Sequence, residues 1–158
     1  MSVEFDKALT IVLDLEGGSA VTDDPNDPGG LTKWGVSQRA YPTLDIRSLT
    51  RQDAEAIYYR DYWLPVRCDV APWPYCLVLF DCAVNQGTNY ATRASQTALG
   101  LDPDGVIGPR TLASMMKATE DNAVTLLANR LQRYMSLPGW GTYGRGWRNR
   151  LFRVALRA

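Results

Sequence analysis

The sequence predicts a mainly α-helical protein, on three observations. Phe5, Ala8, Leu9, Val12 and Leu13 recur at the spacing of one helix face. The run from Tyr75 to Gly87 is apolar nearly all round, as expected of a helix at the centre of an all-α domain. A third apolar stripe, Val124, Leu127, Leu131, Tyr134 and Met135, follows Asn122, which is placed to open that helix. With 158 residues and 46% hydrophobic content, the chain is long and apolar enough for one properly buried core.

The first helix is the most informative element. The positions that continue its apolar face after Leu13 are Glu16 and Gly17. An acid on the core side must be partnered or hold its proton, and this one also lies beside the negative end of the helix dipole. A carboxylic acid that keeps its proton near neutrality is what a general acid for glycosidic bond cleavage needs. Gly17-Gly18 then stops the helix and clears backbone bulk around the carboxyl. Residues 19–37 are dense in turn formers and read as an irregular or hairpin loop, with Asp23, Asp24 and Asp27 close behind the acid. Glu16, Asp27 and Thr32 together offer an acid, a second carboxylate and a hydroxyl able to hold or activate water.

Glu16-Gly17-Gly18, followed by Asp24-Pro25-Asn26-Asp27-Pro28-Gly29-Gly30-Leu31-Thr32-Lys33-Trp34-Gly35-Val36-Ser37, resembles the signature of glycoside hydrolase family 108. Ser19 stands where that family usually has tyrosine after the two glycines. The resemblance implies an N-acetylmuramidase with a lysozyme-like fold. It places the essential catalytic glutamate at Glu16.

Beyond a segment interrupted by Pro42, Thr50 caps a helix whose stripe is Ala54, Ile57, Tyr58 and Tyr62, and Leu64-Pro65 ends it. Tyr58, Tyr59, Tyr62 and Trp63 form an aromatic set that either stacks on sugar faces or fills the core, with Trp63 read as core. Trp34 and Tyr62 are the candidate sugar contacts. In the central apolar helix, Asp81 and Asn85 break the pattern four residues apart and so share a face. Buried polar groups need partners. They either bond to each other or to a neighbouring loop, or they line the substrate cleft beside Glu16. The stretch from Phe80 to Gly87 is again similar to family 108, which favours the cleft.

A short helix over 92–99 closes at Gly100, a turn-rich loop follows, and Pro109 starts the next helix. Ser95 to Gly100 with Asp104 to Thr111 resembles the repeat of peptidoglycan-binding modules, the usual C-terminal partner of the family. Asp102 and Asp104 fall short of the ligand number calcium prefers, so neither metal nor cofactor is expected. Pro138-Gly139 ends the helix opened at Asn122, 140–147 reads as a glycine-rich aromatic loop, and a last helix over 148–156 docks through Leu151, Phe152 and Val154. Gly146-Trp147-Arg148-Asn149-Arg150 resembles the family's C-terminal segment. The expected organisation is a catalytic part, 1–87, with a helical peptidoglycan-binding-like part, 88–158, packed against it.

Zero histidines remove the base of serine and cysteine nucleophile systems and the commonest zinc ligand, which leaves carboxylate chemistry. Three cysteines, Cys68, Cys76 and Cys82, are expected to be reduced. The net charge of +0 hides an asymmetry, −7 over residues 1–121 and +7 over 122–158, where all seven charges are arginines. Those arginines either face an anionic polymer or pair with the acidic front of the same molecule. No apolar stretch reaches membrane-spanning length and no secretion signal is evident. No stable membrane insertion is therefore expected, and the expected protein is a monomer with no nucleic-acid partner, acting on peptidoglycan glycan strands. It would be made in a bacterial host cytoplasm and reach the wall or periplasm on release, as a phage endolysin; a bacterial wall-loosening protein is the alternative setting. A lytic transglycosylase and a non-catalytic wall-binding or tail-structural module are the rival functions.

Overall fold

A computed structural model describes residues 2–18, 20–23 and 30–158. It is mainly α-helical, with a single small hairpin among the described residues. Helix α1 (Val3–Leu15) starts at Ser2, whose side chain accepts a hydrogen bond from the Phe5 amide, and buries the five predicted apolar residues. Gly17 and Gly18 both take positive φ, and the Gly18 amide reaches back to the Leu13 carbonyl at 2.9 Å. The hairpin β1 (Thr32–Lys33) and β2 (Val36–Ser37) turns through Trp34 and Gly35, both at positive φ, as a two-residue turn between right-twisted strands requires.

Helix α2 (Arg51–Tyr58) carries a full capping box from Thr50 and Asp53 and runs into a π-helical turn, Tyr59–Trp63. Helix α3 (Tyr75–Gln86) is the centre of the molecule, and Tyr75 through Ala83 are all buried. Phe5, Trp63 and Phe80 meet edge to face or tilted, with centroids 5.2–5.9 Å apart, so α1, the π-helical turn and α3 share one aromatic core. The remaining helices are α4 (Thr88–Ala98), α5 (Pro109–Met115), α6 (Glu120–Ser136) and α7 (Trp140–Ala155); α4, α6 and α7 all pack on α3. All three cysteines are free and buried, and burial pushes the Cys76 and Cys82 thiols up to about 11. In the loop after α4, Asp104 accepts from the Val106 amide at 2.8 Å and from the Gln96 amide group at 2.7 Å, so its carboxylate staples the turn.

Five expectations are corrected. The fourth helix begins at Thr88, directly after Gly87, whose positive φ turns the chain without a loop. Helix α6 is capped by Thr119, with Asn122 completing the capping box from inside the first turn. Its buried face is Ala123, Leu126, Arg130 and Tyr134, and Val124 and Met135 point to solvent. The true stripe keeps helical period only if a charged residue is counted as core. The segment 140–147 is helical, with Phe152 on the exposed side of α7.

Of the three glycines inside α7, Gly144 is the one that a close approach requires. A Cβ at Gly144 would lie 2.6 Å from the Trp140 indole, whereas Gly146 faces open space. Gly144→Ala should therefore cost about 1–3 kcal/mol through overpacking. Gly146→Ala should gain up to about 1 kcal/mol from helix propensity. Urea denaturation of the two variants beside wild type checks the opposite signs.

Candidate active site

Glu16 is the C-terminal cap residue of α1, with its side chain 24% exposed. It is held from two sides. On one side, the hairpin turn packs against it: a Cβ on Gly35 would overlap the Tyr58 hydroxyl and press on Glu16 Cβ and Cγ at 3.1 Å. Gly35 is thus required both by its φ of 72° and by the thinness of the wedge between Tyr58 and Glu16. Tyr58 seals this contact by donating its hydroxyl to the Trp34 carbonyl at 3.1 Å, and its ring lies 5.6 Å from that of Tyr62. Burial, followed by the charge of Glu16, pushes the Tyr58 hydroxyl far above its ordinary range, so it acts as a donor. Tyr62 is raised as well, by burial first and also by the charges of Asp61 and Glu16, against a hydrogen bond from Tyr41.

On the other side, Glu16 Oε1 is 2.7 Å from Arg150 Nη2. Arg150 in turn places Nε and Nη2 on Asp81 Oδ1 at 3.0 and 2.7 Å. Asp81 completes the chain by binding Arg130 Nη2 through Oδ2 at 2.6 Å. Arg130 also donates to Gln86 Oε1 at 2.9 Å. Asp81 and Arg130 have no exposed side-chain surface, and Arg150 is 12% exposed. The sequence Glu16, Arg150, Asp81, Arg130 is one alternating line of charge. It runs from the protein surface into the centre of α3.

Burying two guanidiniums and a carboxylate is tolerable only when each is paired and hydrogen-bonded. Burial alone would raise the Asp81 carboxyl, but the charges of Arg130 and Arg150 outweigh it and hold the group below the usual carboxylate range. The line also fixes Glu16 in space. Arg150 cannot swing away because Asp81 grips two of its nitrogens, and Glu16 Oε2 is left without a hydrogen bond among the described residues. One carboxyl oxygen is anchored, and the other has no partner among the described residues.

The site residues expected from sequence fall into three groups. Glu16, Trp34 and Tyr62 come together around the hairpin turn and the π-helical turn. Asp81 and Asn85 do not bond to each other: Asp81 is fully buried and reaches Glu16 through Arg150, and Asn85 is exposed and accepts from the Tyr134 hydroxyl. Thr32 lies on β1, where its hydroxyl donates to the Gly30 carbonyl at 3.1 Å, and Asp27 lies outside the described residues. Asp23 is in an exposed ion pair with Arg47 at 2.7 Å. Sequence reasoning missed Gly35, Arg130 and Arg150 as site residues. The arginines had a signal, since a lone acid in an apolar helix and an acid-free arginine tail are complementary.

Residues 9–87 match the description of glycosyl hydrolase 108. The chain belongs to that family. It is also similar to a solved structure of Brucella abortus SagA, at 34% identity, with a TM-score of 0.83, over 97% of this chain and 92% of that one. No curated protein matches its sequence. Family 108 membership makes the chain a glycoside hydrolase, and with the SagA likeness supports action on peptidoglycan. The likeness to SagA continues through the region that carries Arg130 and Arg150, beyond the family match.

Removing one partner from the buried line leaves an unpaired charge. Asp81→Asn should lower stability at pH 7 by about 3–5 kcal/mol. Because the folded Asp81 titrates below its unfolded value of about 3.9, its contribution is complete above about pH 4 and is lost as pH falls through the folded value. The stability gap between wild type and Asp81→Asn should therefore narrow with acidification below about pH 4. Denaturant melts across that range measure the gap; one that stays constant with pH would contradict the depressed titration.

Proposed function

We propose that the protein is an N-acetylmuramidase that hydrolyses the β-1,4 bond between N-acetylmuramic acid and N-acetylglucosamine in peptidoglycan. The observation that carries this reading is Glu16 itself, a carboxyl at a helix end, anchored through Oε1 and without a partner on Oε2 among the described residues. In the reaction, a proton on the free oxygen passes to the glycosidic oxygen as the bond to the anomeric carbon breaks. The anchoring supplies orientation, which is where much of the gain of a positioned acid lies. The buried Tyr58 hydroxyl and the hairpin turn close the other side of the carboxyl, so the group has little freedom to rotate away.

Asp27 and Thr32 are assigned the second role, placing water and countering the positive charge that develops on the sugar. Trp34 and Tyr62 are assigned to the sugar faces. The helices after Gly87 are assigned to wall binding. Three of the seven tail arginines, Arg130, Arg150 and Arg157, pair with acids from the front of the chain, and Arg133 lies over the Tyr90 ring at 4.0 Å. Arg145, Arg148 and Arg153 have no acidic partner among the described residues and remain to meet an anionic polymer. Among the described residues no helix is long and apolar enough to cross a membrane. The setting that suits such an enzyme is a phage endolysin acting on the host wall.

The test is clearing of purified sacculi by wild type and by Glu16→Gln, whose amide keeps the shape and loses the transferable proton. Glu16→Gln should lose at least about 100-fold in rate, within the range a positioned general acid supplies. The released fragments should end in reducible N-acetylmuramic acid, since water is the acceptor. Predominantly 1,6-anhydro ends would make the enzyme a lytic transglycosylase, and a folded Glu16→Gln that still clears would remove Glu16 from the chemistry.

A further inference from the structure

Beside the Glu16–Arg150 pair lies a hollow of about 300 Å³ whose lining includes Asn85, Trp147, Asn149, Arg150 and Arg153. Its chemistry is one-sided. Two guanidiniums and two carboxamides face it, and no carboxylate is among its lining residues. Arg153 has no acidic partner among the described residues. Arg150 spends Nε and Nη2 on Asp81 and Glu16, which leaves Nη1 uncommitted among the described residues.

The donors are also oriented. The buried Tyr134 hydroxyl donates to Asn85 Oδ1, so the acceptor end of that carboxamide is used and its NH2 end is the one left to bind. The same Tyr134 ring stacks on Trp147 at 5.0 Å and 22°, fixing the indole at the pocket wall. Asn149 and Arg153 are four residues apart on α7 and project together. Donors from two helices, one buttressing tyrosine and an aromatic wall make a built site for an anion carried on a sugar.

We infer that this hollow is a subsite for a carboxylate borne by the glycan, either the lactyl group of muramic acid or the first carboxylates of its attached peptide. The inference rests on the reading that peptidoglycan is the substrate. It adds a specificity element that would separate muramic-acid-containing strands from uncharged polymers of N-acetylglucosamine. It also ties recognition to the acid. Arg150 belongs to both the subsite and the pair with Glu16, so a bound carboxylate would replace the negative charge that Glu16 surrenders when it carries its proton.

Monosaccharide binding to the wild-type protein tests the subsite separately from hydrolysis, because N-acetylmuramic acid has no bond to cleave. NMR titrations would compare N-acetylmuramic acid with its carboxyl methyl ester, and muramyl dipeptide with its methyl ester. In the dipeptide the lactyl carboxyl is amidated and the charge lies on the peptide. The expected result is binding at least about tenfold tighter for one acid than for its ester, the winning pair identifying which carboxylate is read. Arg153→Ala should abolish most of that preference and Arg153→Lys should restore part of it. Equal binding of acid and ester in both pairs, or a preference that Arg153→Ala and Asn149→Ala leave intact, would overturn the subsite. Either outcome could coexist with full clearing of sacculi, so failure here is distinguishable from failure of the hydrolase reading.

Discussion

The structure depends on one buried carboxylate. Asp81 sits in the middle of the most apolar helix, where an unpaired charge would cost several kcal/mol, and two guanidiniums from distant parts of the chain converge on it. Arg130 comes from α6 and Arg150 from α7, so satisfying Asp81 draws both helices onto α3. The partner of one residue therefore dictates how the C-terminal helices dock. An apolar residue at the same place would pack as well but would not specify which side chains meet it.

The same constraint is what makes a site of Glu16. Arg150 is long and, on a surface, would sample many rotamers; gripped by Asp81, it presents a single nitrogen to Glu16. The acid comes from the first helix and its anchor from the last, although the family match stops at residue 87. Residues beyond that point therefore contribute to the geometry of the Glu16 carboxyl. The hairpin supplies the opposite wall, where Gly35 lets Tyr58 and Glu16 approach within the thickness of a bare backbone.

Most of this was legible one residue at a time. The stripe of α1, the acid that interrupts it, the glycine stop and the buried character of α3 follow from helical spacing and polarity, and each is found where spacing puts it. The pairing was not legible, because no local pattern says which of seven arginines reaches Asp81. The same blind spot explains the face of α6: scoring Arg130 as surface rotates the stripe toward Val124 and Met135, which are exposed. The glycines of 140–147 read as loop because their cost in a helix is intrinsic, whereas the close approach of the Trp140 indole to Gly144, one turn along the same helix, is visible only in the structure.

The central claim is that Asp81 acts on Glu16 through Arg150. A double-mutant cycle on kcat for sacculus hydrolysis, normalised to folded protein, measures this coupling directly with Asp81→Asn, Arg150→Met and the double variant. The account predicts that each single change lowers kcat by at least about tenfold and that the double variant is no slower than Arg150→Met alone. Losses that multiply would contradict it, because Asp81 and Arg150 would then reach the reaction by separate routes.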